Sequence, residues 1–355
     1  MSKLKIGIIG VGNIATAHIP AYLRNPDVEL YAFCDINPDR LKQMGEKYGV
    51  TRLYTDKDEM LKLKEIDAVS VCTWNSAHAE CAIAALNAGK HVLCEKPTAM
   101  STAEALAMKE AAERNGKLLM IGFVRRHGND CDVVKDFIDR GEFGEIYYAK
   151  ARYLRRNGCP GGWFGNKEFS GGGPLIDLGV HVIDMVKYLV GNPKPVSVYG
   201  VTFQKLLNRP DLREDTSIAN YQHALGKDVF NVEDLASALI RFDNGFVLAV
   251  EASFSLNIKN DVGEIELFGT KAGAKMDSSL EIFTTTNGYL SNITLNNRKL
   301  TDYGDFFGKE INNFVDAILG RADCKAPAAD GVDIMRILDA VYESSRTGHE
   351  VVINY

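Results

Sequence analysis

The chain has 355 residues, of which 46% are hydrophobic and 25% are charged, and its formal net charge is -6. This composition excludes a disordered chain and a membrane-spanning protein, and the length predicts about two globular domains. The negative charge argues against a surface that binds nucleic acid or anionic membranes. We therefore expect a small-molecule substrate.

Neither a membrane span nor a secretion signal is predicted from the sequence. The apolar runs are shorter than the roughly 18 residues that a spanning helix needs, and residues 1–5 lead directly into a strand pattern. The 7 cysteines are scattered, with no Cys-x-x-Cys pair, which indicates reduced thiols rather than disulfides or a zinc site. We expect a cytoplasmic protein.

Residues 1–124 alternate short apolar runs with amphipathic segments. Such runs are typical of buried parallel strands, and the alternation predicts a doubly wound α/β domain with its ligand at the carboxyl ends of the strands. The predicted strands are residues 5–10, 28–34, 68–72, 91–94 and 118–122, and the predicted helices are residues 14–24, 39–48, 78–88 and 102–115.

Residues 125–355 have longer strand patterns and predict an α+β domain with a large, mainly antiparallel sheet. Hairpin turns are expected at Asp243-Asn244-Gly245 and Asn287-Gly288. We predict a long loop with some helix near the ligand at residues 208–230. Strand-like runs cover residues 146–156, 196–205 and 235–256, the last of which contains the Asp243-Asn244-Gly245 turn, and the predicted helices are residues 175–190, 306–319 and 332–346.

The segment Gly10-Val11-Gly12-Asn13-Ile14-Ala15 matches the G-x-G-x-x-[GA] pattern between a strand and a helix. Gly10 permits a tight turn, Gly12 lets the backbone approach a pyrophosphate, and the helix N-terminus offers N–H groups to it. Asp35 ends the next strand, where a carboxylate accepts hydrogen bonds from the adenosine ribose and repels the extra phosphate of NADP. We predict NAD as cofactor rather than NADP; an ordinary glycine turn is the alternative.

Polar residues follow two further strands of this domain. Thr73-Trp74-Asn75-Ser76-Ala77-His78 comes after one strand, and Glu95-Lys96-Pro97 ends the next. A residue before proline is held out of the helical region, which can aim Lys96 into the ligand crevice. A solvated lysine is the alternative.

Residues 171–184 join a glycine run, which we interpret as flexible, to a strongly apolar helix. On an ideal helix Asp177, His181 and Asp184 lie at i, i+4 and i+7, within about 60° of one another. We predict a buried helix whose ionisable stripe faces a polar cavity. A surface ion pair and a metal site are the alternatives, but the segment has no second histidine to complete a metal site.

The stripe provides the groups that alcohol oxidation needs. A base must take the hydroxyl proton while a hydride leaves the same carbon, and a histidine with a reference pKa of about 6.5 suits that task. Asp177 could orient the imidazole or bind the substrate, and Lys96 could stabilise the developing alkoxide.

Together these residues resemble the Gfo/Idh/MocA family of NAD(P)-dependent oxidoreductases over essentially the whole chain. The resemblance implies a Rossmann domain, an open antiparallel-sheet domain that forms homodimers or homotetramers, and a catalytic group of Lys96, Asp177 and His181, with His181 as general acid/base. The matching segments are residues 10–15, Asp35, residues 73–78, 95–97 and 122–126, and Asp177-x-x-x-His181. The predicted cofactor-binding residues are Gly10, Gly12, Asn13, Ile14, Asp35, Ile36, Thr73, Trp74, Asn75, His78, Glu95 and Lys96.

The Asp177-x-x-x-His181-x-x-Asp184 spacing is most similar to inositol dehydrogenases within this family. Residues 155–164 differ from the usual pattern of those enzymes, so inositols, free sugars and glycosides all stay open as substrates. Trp163 and Phe164 could stack on a sugar or pack against the sheet. The predicted substrate-binding residues are Lys96, Arg126, Asn157, Trp163, Asp177, His181 and Asp184.

The predicted function is oxidation of a secondary hydroxyl of a cyclic polyol or sugar by NAD, without a metal, nucleic-acid or membrane partner. A glycoside hydrolase that retains NAD and works by transient oxidation is one alternative. A non-catalytic ligand sensor is the other.

Overall fold

The computed structural model describes residues 3–206, 229–295 and 305–355. The chain forms two compact units, one of residues 1–127 and 305–332, the other of residues 128–304 and 333–355. This division differs from a single boundary at residue 124, because residues 305–332 pack with the first unit. Residues 208–228 of the predicted loop lie outside the described residues.

The first unit contains a six-stranded parallel sheet with strand order β3-β2-β1-β4-β5-β6. This is the order of a Rossmann fold, as the sequence predicted. The strands are β1 (Leu4–Ile9), β2 (Val28–Cys34), β3 (Leu53–Tyr54), β4 (Ala68–Val71), β5 (His91–Glu95) and β6 (Leu119–Gly122). The helices are α1 (Ala15–Arg24), α2 (Pro38–Tyr48), α3 (Lys57–Leu61), α4 (His78–Asn87) and α5 (Thr102–Asn115).

Local signals set the ends of these helices. The Asn37 side chain accepts hydrogen bonds from the first N–H groups of α2, and Pro38 occupies its first turn. Ser101 caps α5 in the same way, and Gly116, with φ +59°, ends that helix in the left-handed region. These signals set the first residue of α2 and both ends of α5.

A later segment completes the first unit. Helix α9 (Phe306–Ile318) packs against α1, and the Ile121 N–H of β6 donates to the Ala326 carbonyl over 2.9 Å. The edge strand is thereby covered by chain from far along the sequence.

The second unit contains a nine-stranded sheet in the described residues, ordered β14-β13-β12-β11-β7-β10-β9-β8-β15. Its neighbours pair antiparallel except β7 and β10, which are parallel. The strands are β7 (Ile146–Leu154), β8 (Pro195–Phe203), β9 (Leu235–Phe242), β10 (Val247–Ser253), β11 (Val262–Gly269), β12 (Gly273–Met276), β13 (Leu280–Thr286), β14 (Tyr289–Thr294) and β15 (Val351–Val352).

Both predicted hairpin turns are present. The strand-like run over residues 235–256 forms the β9–β10 hairpin, which turns at Gly245 with φ +86°. Asn287 and Gly288, at φ +53° and +84°, form the two-residue turn between β13 and β14. The helices of this unit are α6 (Asn129–Asp139), α7 (Lys167–Ser170) and α8 (Val180–Leu189), and α10 (Ala328–Thr347) contributes residues to both units.

The helix predicted over residues 175–190 is present, but its first turn is not α-helical. Residues Leu175–Gly179 form a π-helical turn, and the α-helix α8 begins only at Val180. In this first turn the hydrogen bonds therefore join residues five apart, whereas the predicted positions of Asp177, His181 and Asp184 assumed an ideal α-helix, in which they join residues four apart. Among the described residues, no helix is both long and apolar enough to cross a membrane.

Candidate functional site

The glycine turn after β1 has the shape that a dinucleotide requires. Gly10 has φ +86°, and a Cβ there would lie 2.6 Å from the Cys72 carbonyl oxygen. Both the backbone conformation and the nearby carbonyl group therefore exclude a side chain at this position. No described atom lies within 4 Å of a Cβ built at Gly12, which leaves space for a ligand. Within the described residues no side chain caps α1, so its N-terminal N–H groups can meet a pyrophosphate.

Asp35 is held at this turn by two backbone hydrogen bonds. One carboxylate oxygen accepts from the Val11 N–H and the other from the Asn37 N–H, each at 2.8 Å. The next residue, Ile36, is 73% exposed and offers an apolar surface beside the carboxylate. Arg40 also contacts this turn, since its Nε donates to the Val11 carbonyl over 3.0 Å. The predicted ribose role of Asp35 is compatible with this placement.

His78 joins the two polar turns that follow β4 and β5. Its Nδ1 lies 2.7 Å from the Pro97 carbonyl oxygen and its Nε2 lies 3.3 Å from the Thr73 carbonyl oxygen. The ring is buried, and burial lowers the pKa of His78. The structure therefore brings the Thr73–His78 turn and the Glu95-Lys96-Pro97 segment together. Trp74 is half-buried and Asn75 is buried within that turn.

Glu95 is buried under the Lys96 segment and contacts a residue that the sequence analysis missed. One carboxylate oxygen lies 2.7 Å from Nε2 of His18 on α1, and the other accepts from the Lys96 N–H at 3.1 Å. Burial raises the pKa of Glu95, but the hydrogen bond and charge of His18 outweigh it and the net shift is downward. Glu95 is thus an ionised carboxylate inside the protein.

A second residue that the sequence analysis missed, Glu310 of α9, lies in the same cluster. Ligand atoms of His18, Glu95 and Glu310 lie within 4.8 Å of one another, and all three side chains are buried. Neither carboxylate oxygen of Glu310 has a hydrogen-bond partner among the residues that the structure describes. Burial, followed by the charge of Glu95, raises the pKa of Glu310 well above its ordinary value.

This raised pKa predicts a pH-dependent stability that Glu310→Gln removes. The folded state keeps the Glu310 proton after the unfolded chain has lost it, so stability falls as pH rises above about 4.3. Each pH unit between the two pKa values costs about 1.4 kcal/mol. Urea unfolding of both proteins from pH 4.5 to 7.5 should show an advantage of the Gln variant that grows with pH; a constant difference would contradict a proton on Glu310.

In the second unit, the predicted stripe is buried at two of its three positions. Asp177, in the π-helical turn, is 8% exposed and Asp184 is 1% exposed, whereas His181 on α8 is half-buried. A π-helical turn at the start of an α-helix is frequently found at functional sites. The structure places a partly accessible imidazole on the same helical segment as two buried carboxylates.

The glycine run before this segment is packed tightly, which corrects its interpretation as flexible. A Cβ at Gly172 would overlap the Tyr342 hydroxyl, and one at Gly173 would overlap the Glu233 carbonyl oxygen. The Glu233 carboxylate accepts from the N–H groups of Gly173 and Leu175 at 2.9 and 3.2 Å, and from the Tyr342 hydroxyl at 2.9 Å. Glu233 therefore anchors the turn that carries Asp177.

The other predicted substrate residues have structural contacts of their own. Arg126 in the first unit is fully buried, and its Nη1 donates to Asp330 over 2.6 Å and to the Lys325 carbonyl. Asn157 forms a β-bridge with Ser255. Trp163 stacks on Phe164 with ring centroids 3.9 Å apart. Their substrate contacts stay predictions, and burial makes Arg126 the least accessible of them.

Comparison with known proteins assigns both parts of the chain to one family. Residues 4–123 match the Gfo/Idh/MocA oxidoreductase family's NAD-binding Rossmann fold, and residues 135–353 match its C-terminal alpha/beta domain. The chain is 36% identical over 353 residues to the D-glucoside 3-dehydrogenase of Escherichia coli, covering 99% of this chain and 97% of the relative.

Two further relatives act on other cyclic compounds according to their names. The myo-inositol 2-dehydrogenase of Thermotoga maritima is 34% identical over 188 residues, 53% of this chain and 55% of the relative. A levoglucosan dehydrogenase solved with NADH superposes with a TM-score of 0.85 at 26% identity, covering 99% of this chain and all of that one. The chain therefore belongs to the Gfo/Idh/MocA family and is an NAD-dependent oxidoreductase.

Proposed function

We propose that this protein oxidises a secondary hydroxyl group on the ring of a sugar or cyclic polyol, with glucosides as the first class to test. The observation that carries the proposal is the half-buried His181 on one helical segment with the buried Asp177 and Asp184. Similarity to the D-glucoside 3-dehydrogenase over nearly the whole chain supports a glycoside, while similarity to the inositol enzyme covers about half.

In this proposal His181 takes the hydroxyl proton while the same carbon loses a hydride, so that the alcohol becomes a ketone. NAD, when bound, supplies the hydride acceptor. Asp177 orients the imidazole or binds a substrate hydroxyl, and Asp184 binds a further hydroxyl. Lys96, the residue before Pro97 in the Rossmann unit, stabilises the negative charge on the substrate oxygen.

The proposal is tested with methyl β-D-glucopyranoside, D-glucose, levoglucosan and myo-inositol, each with NAD and separately with NADP. We expect NADH formation, followed by near-UV absorbance, with a subset of these compounds that shares one hydroxyl configuration. Release of sugar from an aryl glucoside without accumulation of NADH would instead indicate a glycoside hydrolase that retains its cofactor. Tight NAD binding without either reaction would indicate a sensor.

Cofactor preference should depend on Asp35. Replacing it by Asn keeps an acceptor for the Val11 N–H but removes the negative charge that opposes a 2′-phosphate. The ratio of kcat/KM for NADP to that for NAD should rise about 10- to 100-fold in Asp35→Asn. Asp35→Ser should show the same change with weaker binding of both cofactors, since its shorter side chain cannot serve both backbone N–H groups. A wild-type preference for NADP would contradict the role given to Asp35.

A further inference from the structure

The buried cluster of His18, Glu95 and Glu310 lies in the first unit, outside the predicted site residues except for Glu95. His18 comes from α1, Glu95 from the end of β5 and Glu310 from α9. Tyr22, one helical turn after His18, is within 2.7 Å of the Ser70 hydroxyl, which in turn lies 3.4 Å from His18 Nδ1. The imidazole is fully buried and directed at Glu95.

The geometry of the cluster favours a shared proton over a metal ion. Ligands bound to one zinc ion at about 2.0–2.2 Å in a tetrahedron are separated by about 3.3 Å. His18 Nε2 and the Glu95 oxygen are only 2.7 Å apart, which is the length of a charge-assisted hydrogen bond. A metal would have to push these atoms apart inside a closely packed interior.

The charges of the cluster balance when the proton sits on the imidazole. Burial lowers the pKa of His18, but the Glu95 carboxylate 2.7 Å from Nε2 opposes it, and the net shift is upward. His18 is then a cation against the Glu95 anion, and Glu310 is neutral, so the buried group has no net charge. An ionised Glu310 would add an unpaired buried charge.

Glu95 transmits this contact to the predicted catalytic lysine. Its second oxygen accepts the Lys96 N–H, and Gly122 of β6 packs against it so closely that a Cβ there would lie 3.2 Å from the Glu95 carboxyl carbon. The carboxylate is thus fixed by β6, by the imidazole and by the Lys96 backbone. A shift of Glu95 would move the peptide group that carries the Lys96 side chain.

We propose that His18 is a positioning residue for Lys96: as an imidazolium it holds Glu95, and Glu95 holds the Lys96 peptide group. This inference rests on the proposed function, in which Lys96 acts on the substrate oxygen. His18 itself touches neither substrate nor cofactor in this role. Its effect on turnover passes entirely through Lys96.

Two variants, in which His18 is replaced by Gln or by Asn, test this inference because their amide side chains differ in length. The amide nitrogen of Gln at position 18 can occupy the place of Nε2 and donate to Glu95, whereas that of Asn is one methylene short. Both are neutral and polar. His18→Asn should lower kcat about 10- to 100-fold with little change in the KM for NAD, and His18→Gln should lose at least about tenfold less. Circular dichroism and NAD titration should show that both variants fold.

A double-mutant cycle separates positioning from general stability. In a Lys96→Ala background, His18→Asn should have no further effect on kcat, measured with whichever compound of the panel gives the fastest turnover. An equal loss in both backgrounds would overturn the inference, because His18 would then act without Lys96. If Lys96→Ala itself leaves turnover unchanged, the proposed role of Lys96 fails, and hydrogen exchange of the cofactor-free protein alone decides whether His18 positions the Lys96 peptide group.

Hydrogen exchange provides that measurement without cofactor or substrate. A peptide of residues 93–98 reports the Lys96 amide with few others, since Pro97 has no N–H. Exchange of this amide should accelerate about 10-fold or more in His18→Asn and less in His18→Gln. Unchanged exchange in His18→Asn would overturn the inference, and so would a stoichiometric metal ion that the wild type contains and His18→Asn loses.

Discussion

His181→Ala should lower turnover by about 10²- to 10⁴-fold, the range that removal of a general base usually produces. Affinity for NAD should stay unchanged, because the glycine turn and Asp35 belong to the other unit of the chain. The measurements are initial rates of NADH formation with saturating NAD and an NAD titration followed by tryptophan fluorescence. Loss of rate with intact cofactor binding is the expected pattern.

His349→Ala is the matched control for that variant. His349 lies in the same unit and its side chain is exposed, so its removal should change neither rate nor binding. If His181→Ala turns over as fast as this control, then His181 is not the base and the proposed chemistry is wrong. If it loses NAD binding as well, the imidazole has a cofactor or structural role instead.

Gly173→Ala should destabilise the second unit by about 1–3 kcal/mol or more, the usual cost of forcing a methyl group into a packed interior. The new Cβ would overlap the Glu233 carbonyl oxygen, which is backbone and cannot rotate away. It would also disturb the hydrogen bond from the Gly173 N–H to Glu233, so the turn that carries Asp177 should shift. We expect a lower thermal midpoint together with reduced turnover.

Gly263→Ala controls for the general effect of replacing glycine in this unit. Gly263 lies on β11, and no described atom comes within 4 Å of a Cβ built there. Its substitution should change the free energy of unfolding by less than about 0.5 kcal/mol. Equal stabilities of the two variants, measured by urea unfolding, would show that the glycine run has the freedom that its sequence suggests.

Much of the fold could be predicted because its signals are local. The apolar runs, Asn37, Gly116 and the Asn287-Gly288 turn each act through neighbouring residues, and the structure has the expected elements there. The π-helical turn at residues 175–179 and the return of residues 305–332 to the first unit depend on tertiary packing. Hydrophobic periodicity does not encode either feature.

The candidate site also contains residues that local signals predict and residues that they do not. The glycine turn, Asp35 and the Lys96 segment follow predicted strands, so their neighbourhood could be expected from the order of a doubly wound sheet. His18, Glu310 and Glu233 were missed because their partners are distant in sequence. A signal did exist for Glu310, which shares the apolar face of α9 with Ile311 and Phe314. A carboxyl group on such a face predicts a buried polar contact.

The discontinuous composition of the first unit has a consequence for synthesis of the protein. The Ile121 N–H of β6 and the buried Arg126 guanidinium bind residues 325–330, which leave the ribosome after residues 128–304. At about 5–20 residues per second, the nascent Rossmann sheet waits on the order of ten to forty seconds before these contacts of β6 and Arg126 can form. During that interval the unfinished amino-terminal part is the form of this protein most exposed to aggregation and to capture by chaperones.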